Sequence, residues 1–197
     1  MRTTGRRIVA AGAVAAGVLW AGTGTAAADP PTGLEDIFPT EGAAYASLPA
    51  PDQDLQVFLS VFDGPGGEAT AGVEVFGALG PDNYYECFDG PLIPAALNGL
   101  EGARAEGRTT LLCGGPNLPR DVVAHVDVDA EWTATGPVDR SAGMVPGSQC
   151  VSVNEQRAAE VTGLVTVSIP ELGVTASATE GSGDVRTVTS ICAGGRR

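Results

Sequence analysis

The sequence predicts an all-β fold, an antiparallel β-sandwich of about seven or eight short strands stapled by two disulfides. Three observations carry that expectation. Apolar and polar residues alternate with period 2 in several segments, turn-forming Gly, Pro, Asp and Asn clusters separate them, and no amphipathic helical pattern follows residue 28. A closed barrel competes with the sandwich. The sandwich is preferred because several segments have one polar face, as strands do when two sheets bury only their inner sides.

Taken in order, residues 1–28 read as a secretory signal peptide, with Arg2, Arg6 and Arg7, an apolar run from Ile8 to Trp20 and the small residues Ala26-Ala27-Ala28. The run is too short for a spanning helix, and no second such run follows, so no membrane span and a secreted protein are expected. The Arg6-Arg7 pair leaves both general and twin-arginine export open. Residues 29–53, with Pro30, Pro31, Pro39, Pro49 and Pro51, suit a tether or peripheral strap, which starts the folded domain at residue 54.

Within residues 54–193, Leu55, Val57, Leu59 and Val61 alternate with Gln56, Phe58, Ser60 and Phe62, a strand whose second face is itself partly apolar. Asp63-Gly64-Pro65-Gly66-Gly67 is a turn signal, and Ala71, Val73 and Val75 mark the hairpin partner. A short strand spans Asp82 to Gly90, and Pro91, Pro94 and Gly99 break the chain after it. Thr109, Thr110, Leu111 and Leu112 favour a strand ending at Cys113. The cleanest alternation runs from Val122 to Trp132, with Asp121, His125, Asp127, Asp129 and Glu131 on its polar side. After an expected loop from Gly136 to Ser148, residues 156–169 form another strand. Val174–Thr179 and Val185–Cys192 read as a last hairpin around Gly181-Ser182-Gly183, and residues 194–197 as a short tail. An immunoglobulin-like variant is the narrower reading. Trp132 does lie between cysteines, but Ser190 stands where such a domain carries a tyrosine.

Charge narrows the partners. The chain has 11 Lys+Arg, all arginine, against 24 Asp+Glu, a formal net charge of −13. Removing residues 1–28 takes away three arginines and no acid, leaving −16. Nucleic acid and anionic membrane surfaces are bound through cationic side chains and would be repelled. With no lysine, Schiff-base, P-loop and S-x-x-K chemistries are excluded. Cys87, Cys113, Cys150 and Cys192 lie after the signal, and export into an oxidising compartment makes two disulfides the natural outcome. Three pairings are possible. Cys87 with Cys113 and Cys150 with Cys192 is favoured because sequence neighbours often fall on adjacent strands.

Three residue sets are candidate sites. Asp127, Asp129 and Glu131 share a strand face and could gather Ca²⁺ if a neighbouring element added oxygens. Trp132 and Val138 stand where an EF-hand requires Gly and Glu, so that motif is excluded and no resident cofactor is expected. His125, the single histidine, has Asp127 one same-face step away, roughly 6.5–7 Å along a strand. No G-x-S-x-G nucleophile motif accompanies it. Tyr84, Tyr85 and Phe88, flanked by Asp82, Asn83, Glu86 and Asp89, form the dense aromatic and acidic cluster of an aromatic-poor chain and could hold a sugar or a peptide.

The stretch Glu131-Trp132-Thr133-Ala134-Thr135-Gly136-Pro137-Val138-Asp139-Arg140-Ser141, with the signal peptide and the late strands, resembles uncharacterised exported β-rich proteins of high-G+C Gram-positive bacteria. That resemblance implies compartment and fold class and assigns no residue a role. The expected function is a non-catalytic binding or cell-envelope-associated module for a protein or glycan partner. A small secreted hydrolase or metal-dependent enzyme using the acids near His125 is the alternative from another class. A structural or inhibitor-like protein that docks through loops such as 136–149 is the third.

Overall fold

Alternation puts every second side chain of a strand on one face, and in this chain those faces all turn toward one core. The structure, a computed structural model, describes residues 34–37, 41–51, 53–63, 67–80, 83–119 and 121–193. The expected signal peptide 1–28, the tail 194–197 and the Gly64–Gly66 part of the first turn lie outside the described residues. The strands are β1 (Leu34–Ile37), β2 (Glu41–Ala50), β3 (Leu55–Asp63), β4 (Ala69–Gly80), β5 (Asn83–Phe88), β6 (Ile93–Leu97), β7 (Gly102–Gly114), β8 (Val122–Met144), β9 (Cys150–Ile169) and β10 (Val174–Ala193). A short 3-10 turn, Pro170–Leu172, joins the last two.

All ten strands belong to one antiparallel sheet. From β2 to β10 neighbours follow chain order, with β5 and β6 sharing one position between β4 and β7. β10 pairs with β9 along one edge and, over Ser182–Val188, with β2 along the other, so the ladder returns to its first strand. The all-β antiparallel class and the two disulfides, Cys87–Cys113 and Cys150–Cys192, are as the sequence suggests. The two layers of the expected sandwich are opposite walls of this one closed sheet. Apart from β1, which pairs with β10, and the shared position of β5 and β6, the order among the described residues is up-and-down, whereas an immunoglobulin domain uses Greek-key connections.

Closure at about eight strands leaves a bore that side chains alone can fill, and the composition matches that width. Ala44, Ala46, Ala71, Ala105, Ala124 and Ala130 are buried with Val57, Val61, Val75, Val126, Val128 and Val165. Two large side chains complete the filling, Tyr85 and Trp132. The Trp132 Nε1–H donates across the bore from β8 to the Tyr45 carbonyl of β2 at 3.0 Å.

The expected boundary at residue 54 is corrected by β2, which lies in the segment read as a tether. Ala44, Ala46, Leu48 and Ala50 are buried there, while Ala43, Tyr45 and Ser47 face outward and Pro49 is exposed. Alanine serves both faces, so alternation of polarity is too faint to mark the strand. The expected hairpin around Gly181-Ser182-Gly183 is a second correction, because β10 is continuous. A Cβ on Gly181 would meet the Ser47 carbonyl oxygen at 2.4 Å, and one on Gly183 the Tyr45 carbonyl oxygen at 1.9 Å. These glycines let β10 close against β2 rather than turn. Gly183→Ala is accordingly expected to cost about 2 kcal/mol, read as a lower urea midpoint with an unchanged slope.

The loop expected from Gly136 to Ser148 is largely strand. β8 passes an irregularity between Thr135 and Asp139, then pairs Asp139–Met144 with Val151–Gln156 of β9. The β7 partner stops at Thr133. Beyond that point β8, β9 and β10 continue as an arm without β7, β10 keeping β2 as its other neighbour to Val188 and β1 at Ile191–Ala193, and Cys150–Arg157 of β9 are half-buried on both faces. Proline at 94 does not prevent β6 either, since β6 meets β4 only at Thr70 and Ala71.

Candidate functional site

Tyr84, Tyr85 and Phe88 do not act as one cluster, because adjacent strand residues point to opposite faces. Tyr85 is 1% exposed and packs in the bore, where a Cβ on Gly77 would overlap its ring. Tyr84 and Phe88 face outward and are 54% and 45% exposed. Phe88 lies directly opposite Leu112 of β7, itself 58% exposed.

The Tyr85 hydroxyl is enclosed and has no hydrogen-bond partner among the described residues. Burial raises its pKa above the usual tyrosine value of 10.0, and Asp54 adds to the rise. A raised folded-state pKa means stability is fully present below about pH 10, the unfolded value, and falls as pH climbs toward the folded one. Tyr85→Phe removes both the unpaired hydroxyl and this alkaline loss. It should raise stability by about 1 kcal/mol at neutral pH and flatten the fall in melting temperature above pH 10. An alkaline fall as steep as that of the parent chain would contradict this assignment.

Outward-facing aromatic residues are the unexpected feature. Of the eight described aromatic side chains, only Tyr85 and Trp132 fill the bore. Tyr45 and Phe62 meet edge to face at 5.7 Å, and Phe58 and Phe76 at 5.4 Å, on the outer wall of β2, β3 and β4. Glu74 lies directly opposite Phe58, and Glu86 directly opposite Phe76. The sequence reading missed this wall because its members are scattered from Tyr45 to Phe88. The available signal was the partly apolar second face of β3.

At the β10 margin Asp184 pairs opposite Tyr45, and the Arg186 guanidinium sits 5.1 Å from the Tyr45 ring centroid. Arg186 donates to Asp184 through Nε and through Nη2, the latter at 2.9 Å. That charge-assisted bond is the first cause of the upward shift in the Arg186 pKa.

The opposite outer wall, β7 to β9, is polar. His125 is exposed on β8, between Thr110 of β7 and Ser168 of β9, beside a shallow depression of about 500 Å³ that Pro91 and Thr166 help to line. The His125 side chain makes no hydrogen bond or ion pair with any described residue. Asp127, its same-face neighbour, accepts from Arg108 Nε at 2.7 Å, and Asp129 pairs with Arg104 at 3.4 Å. Asp127, Asp129 and Glu131 follow one another along a straight strand, so their oxygens are spread over successive steps of roughly 6.5–7 Å instead of converging. No group of three or more His, Cys, Asp or Glu among the described residues is placed to hold a metal ion. Searches of family models, curated proteins and solved structures return no match to this chain.

Proposed function

We propose that this protein is an exported, non-catalytic binding module of the cell envelope, and that it binds through the outer wall of β2 to β5. The observation that carries the reading is the placement of the aromatic residues: aliphatic side chains with Tyr85 and Trp132 fill the bore, while Tyr45, Phe58, Phe62, Phe76, Tyr84 and Phe88 face outward. Aromatic side chains supply large contact area at low entropic cost and concentrate at recognition surfaces. Leaving them on the surface of a chain so poor in them has a physical rationale if a partner covers them.

Two disulfides persist in oxidising compartments, which agrees with an exported chain. No helix among the described residues is long and apolar enough to cross a membrane. A membrane-spanning barrel carries an apolar band around its whole outer wall and a polar lumen. This barrel has an apolar lumen and places Arg104, Arg108, Asp127 and Asp129 on its outer wall, the reverse arrangement, which supports a water-facing module.

Co-sedimentation with insoluble cell-wall material and a glycan array test the reading. Retention of the full chain is expected, with at least a tenfold loss in the Tyr84→Ala, Phe88→Ala double variant. Unchanged retention in that variant, or none in the parent chain, would sink it.

A further inference from the structure

The chain's cations are distributed unevenly. There is no lysine, and no arginine occurs between Ile8 and Ala103, the stretch that builds β2 to β6. Nine carboxylates fall between Glu41 and Asp89 in the same stretch. Elsewhere on the barrel several acids are paired with arginine, as in Arg108–Asp127, Arg104–Asp129 and Arg157–Glu101, whereas none of the described carboxylates between Glu41 and Asp89 is. Glu74 and Glu86 make no ion pair with any described residue, although each faces a phenyl ring across its strand.

The margin of the same wall shows what such a combination holds. There the Tyr45 ring, edge to face with Phe62, and the Asp184 carboxylate together seat the guanidinium of Arg186. Phe58 edge to face with Phe76, flanked by Glu74 and Glu86, repeats those components without a cation from the chain. We propose, resting on the binding-module reading above, that this second seat docks an arginine-bearing apolar polypeptide segment of a partner protein. One guanidinium lies against Phe58 and Phe76 and pairs with Glu74 or Glu86, and the apolar neighbours of that arginine cover Phe88 and Leu112.

Charge and shape select this occupant. A neutral glycan would cover the rings but leave the two carboxylates unanswered, and an anionic lipid surface would be repelled by them. Ammonium is a compact, strongly hydrated point charge, whereas the planar guanidinium stacks on rings while donating to a carboxylate. The outward-facing residues of one strand repeat every roughly 6.5–7 Å, the interval at which an extended polypeptide presents alternate side chains.

Fluorescence anisotropy with the full chain tests this at about 0.15 M salt. The probes are labelled peptides alternating arginine and leucine, their lysine counterparts and their neutral citrulline counterparts. The arginine peptide should bind at least tenfold more tightly than the lysine peptide, and citrulline should abolish binding. Glu74→Gln with Glu86→Gln should weaken the arginine peptide at least tenfold. Glu160→Gln with Glu180→Gln, the same charge change at exposed positions away from the rings, should leave it within twofold. Equal loss in both pairs would mean diffuse attraction, and undiminished citrulline binding would mean apolar contact alone. Self-association abolished by Glu74→Gln with Glu86→Gln would assign the wall to a second copy. Each of these outcomes, and absence of arginine-peptide binding, overturns the proposal. If the peptide fails while cell-wall retention still depends on Tyr84 and Phe88, the binding-module reading stands without it; if retention fails too, both fall.

Discussion

Replacing Trp132 with alanine should lower the unfolding free energy by about 3–5 kcal/mol, read as a shift of the urea midpoint. Trp132 is 2% exposed and is one of the two large side chains that fill the bore. Its direct cross-strand neighbours are Ala103 and Val161, which lack the reach to collapse into the space an indole leaves, so a cavity term adds to the lost transfer free energy. The substitution also removes the hydrogen bond that the indole N–H donates to the Tyr45 carbonyl at 3.0 Å. Trp132→Phe separates the two effects: it keeps most of the volume, loses the donor and should cost about 1–2 kcal/mol. Since native domains hold only about 5–15 kcal/mol in total, the alanine variant would be near the edge of folding. An alanine variant no weaker than the phenylalanine one would mean the bore is not closed around residue 132.

Trp132 also shows what could be read from the sequence. Its inward position follows from the alternation that runs from Val122 to Trp132, and β3, β4 and the second half of β9 were legible in the same way. Alternation says which face is buried. It is silent on whether the outermost strands meet, and closure depends on β10 pairing with β2. Both partners were obscured: β2 is built from alanine, serine and proline that serve either face, and the glycines that admit β10 beside it resemble a turn. Sequence alone left three disulfide pairings open, and the favoured one is that of the structure, in which both bridges join direct cross-strand neighbours. The candidate sites were less legible for one physical reason. Tyr84 and Tyr85 are adjacent in the chain and opposite in space, whereas Phe58, Glu74, Phe76 and Glu86 are distant in the chain and neighbours on a wall. Sheet register makes such clusters, and one sequence does not specify register between strands.

Removing the Cys150–Cys192 bridge by double serine substitution is expected to cost about 4 kcal/mol, against roughly 3.5 for Cys87–Cys113. The ordering follows from the loops closed, with sequence separations of 42 and 26. The larger loop is the whole β9–β10 hairpin, tied at its open end, the point farthest from the 3-10 turn Pro170–Leu172. For a chain of this size the loss corresponds to a fall in melting temperature of about 10 °C. It should also be uneven in space. Past Thr133 the arm lacks the β7 neighbour, its β8 residues from Gly136 to Met144 are exposed and Cys150–Arg157 of β9 are only half-buried, so its amides belong to the low-stability end of the structure even with the bridge intact. Without the bridge, hydrogen exchange should accelerate first at residues 150–156 and 187–192, while Val126, Val128 and Val165 in the bore keep their protection. Uniform acceleration would mean that arm and barrel open as one unit. The same dependence ties stability to compartment, because a reducing cytosol withholds both bridges. Chain folded under reducing conditions should therefore be markedly more sensitive to urea and proteolysis than oxidised chain, and reduction of the oxidised form should reproduce that sensitivity.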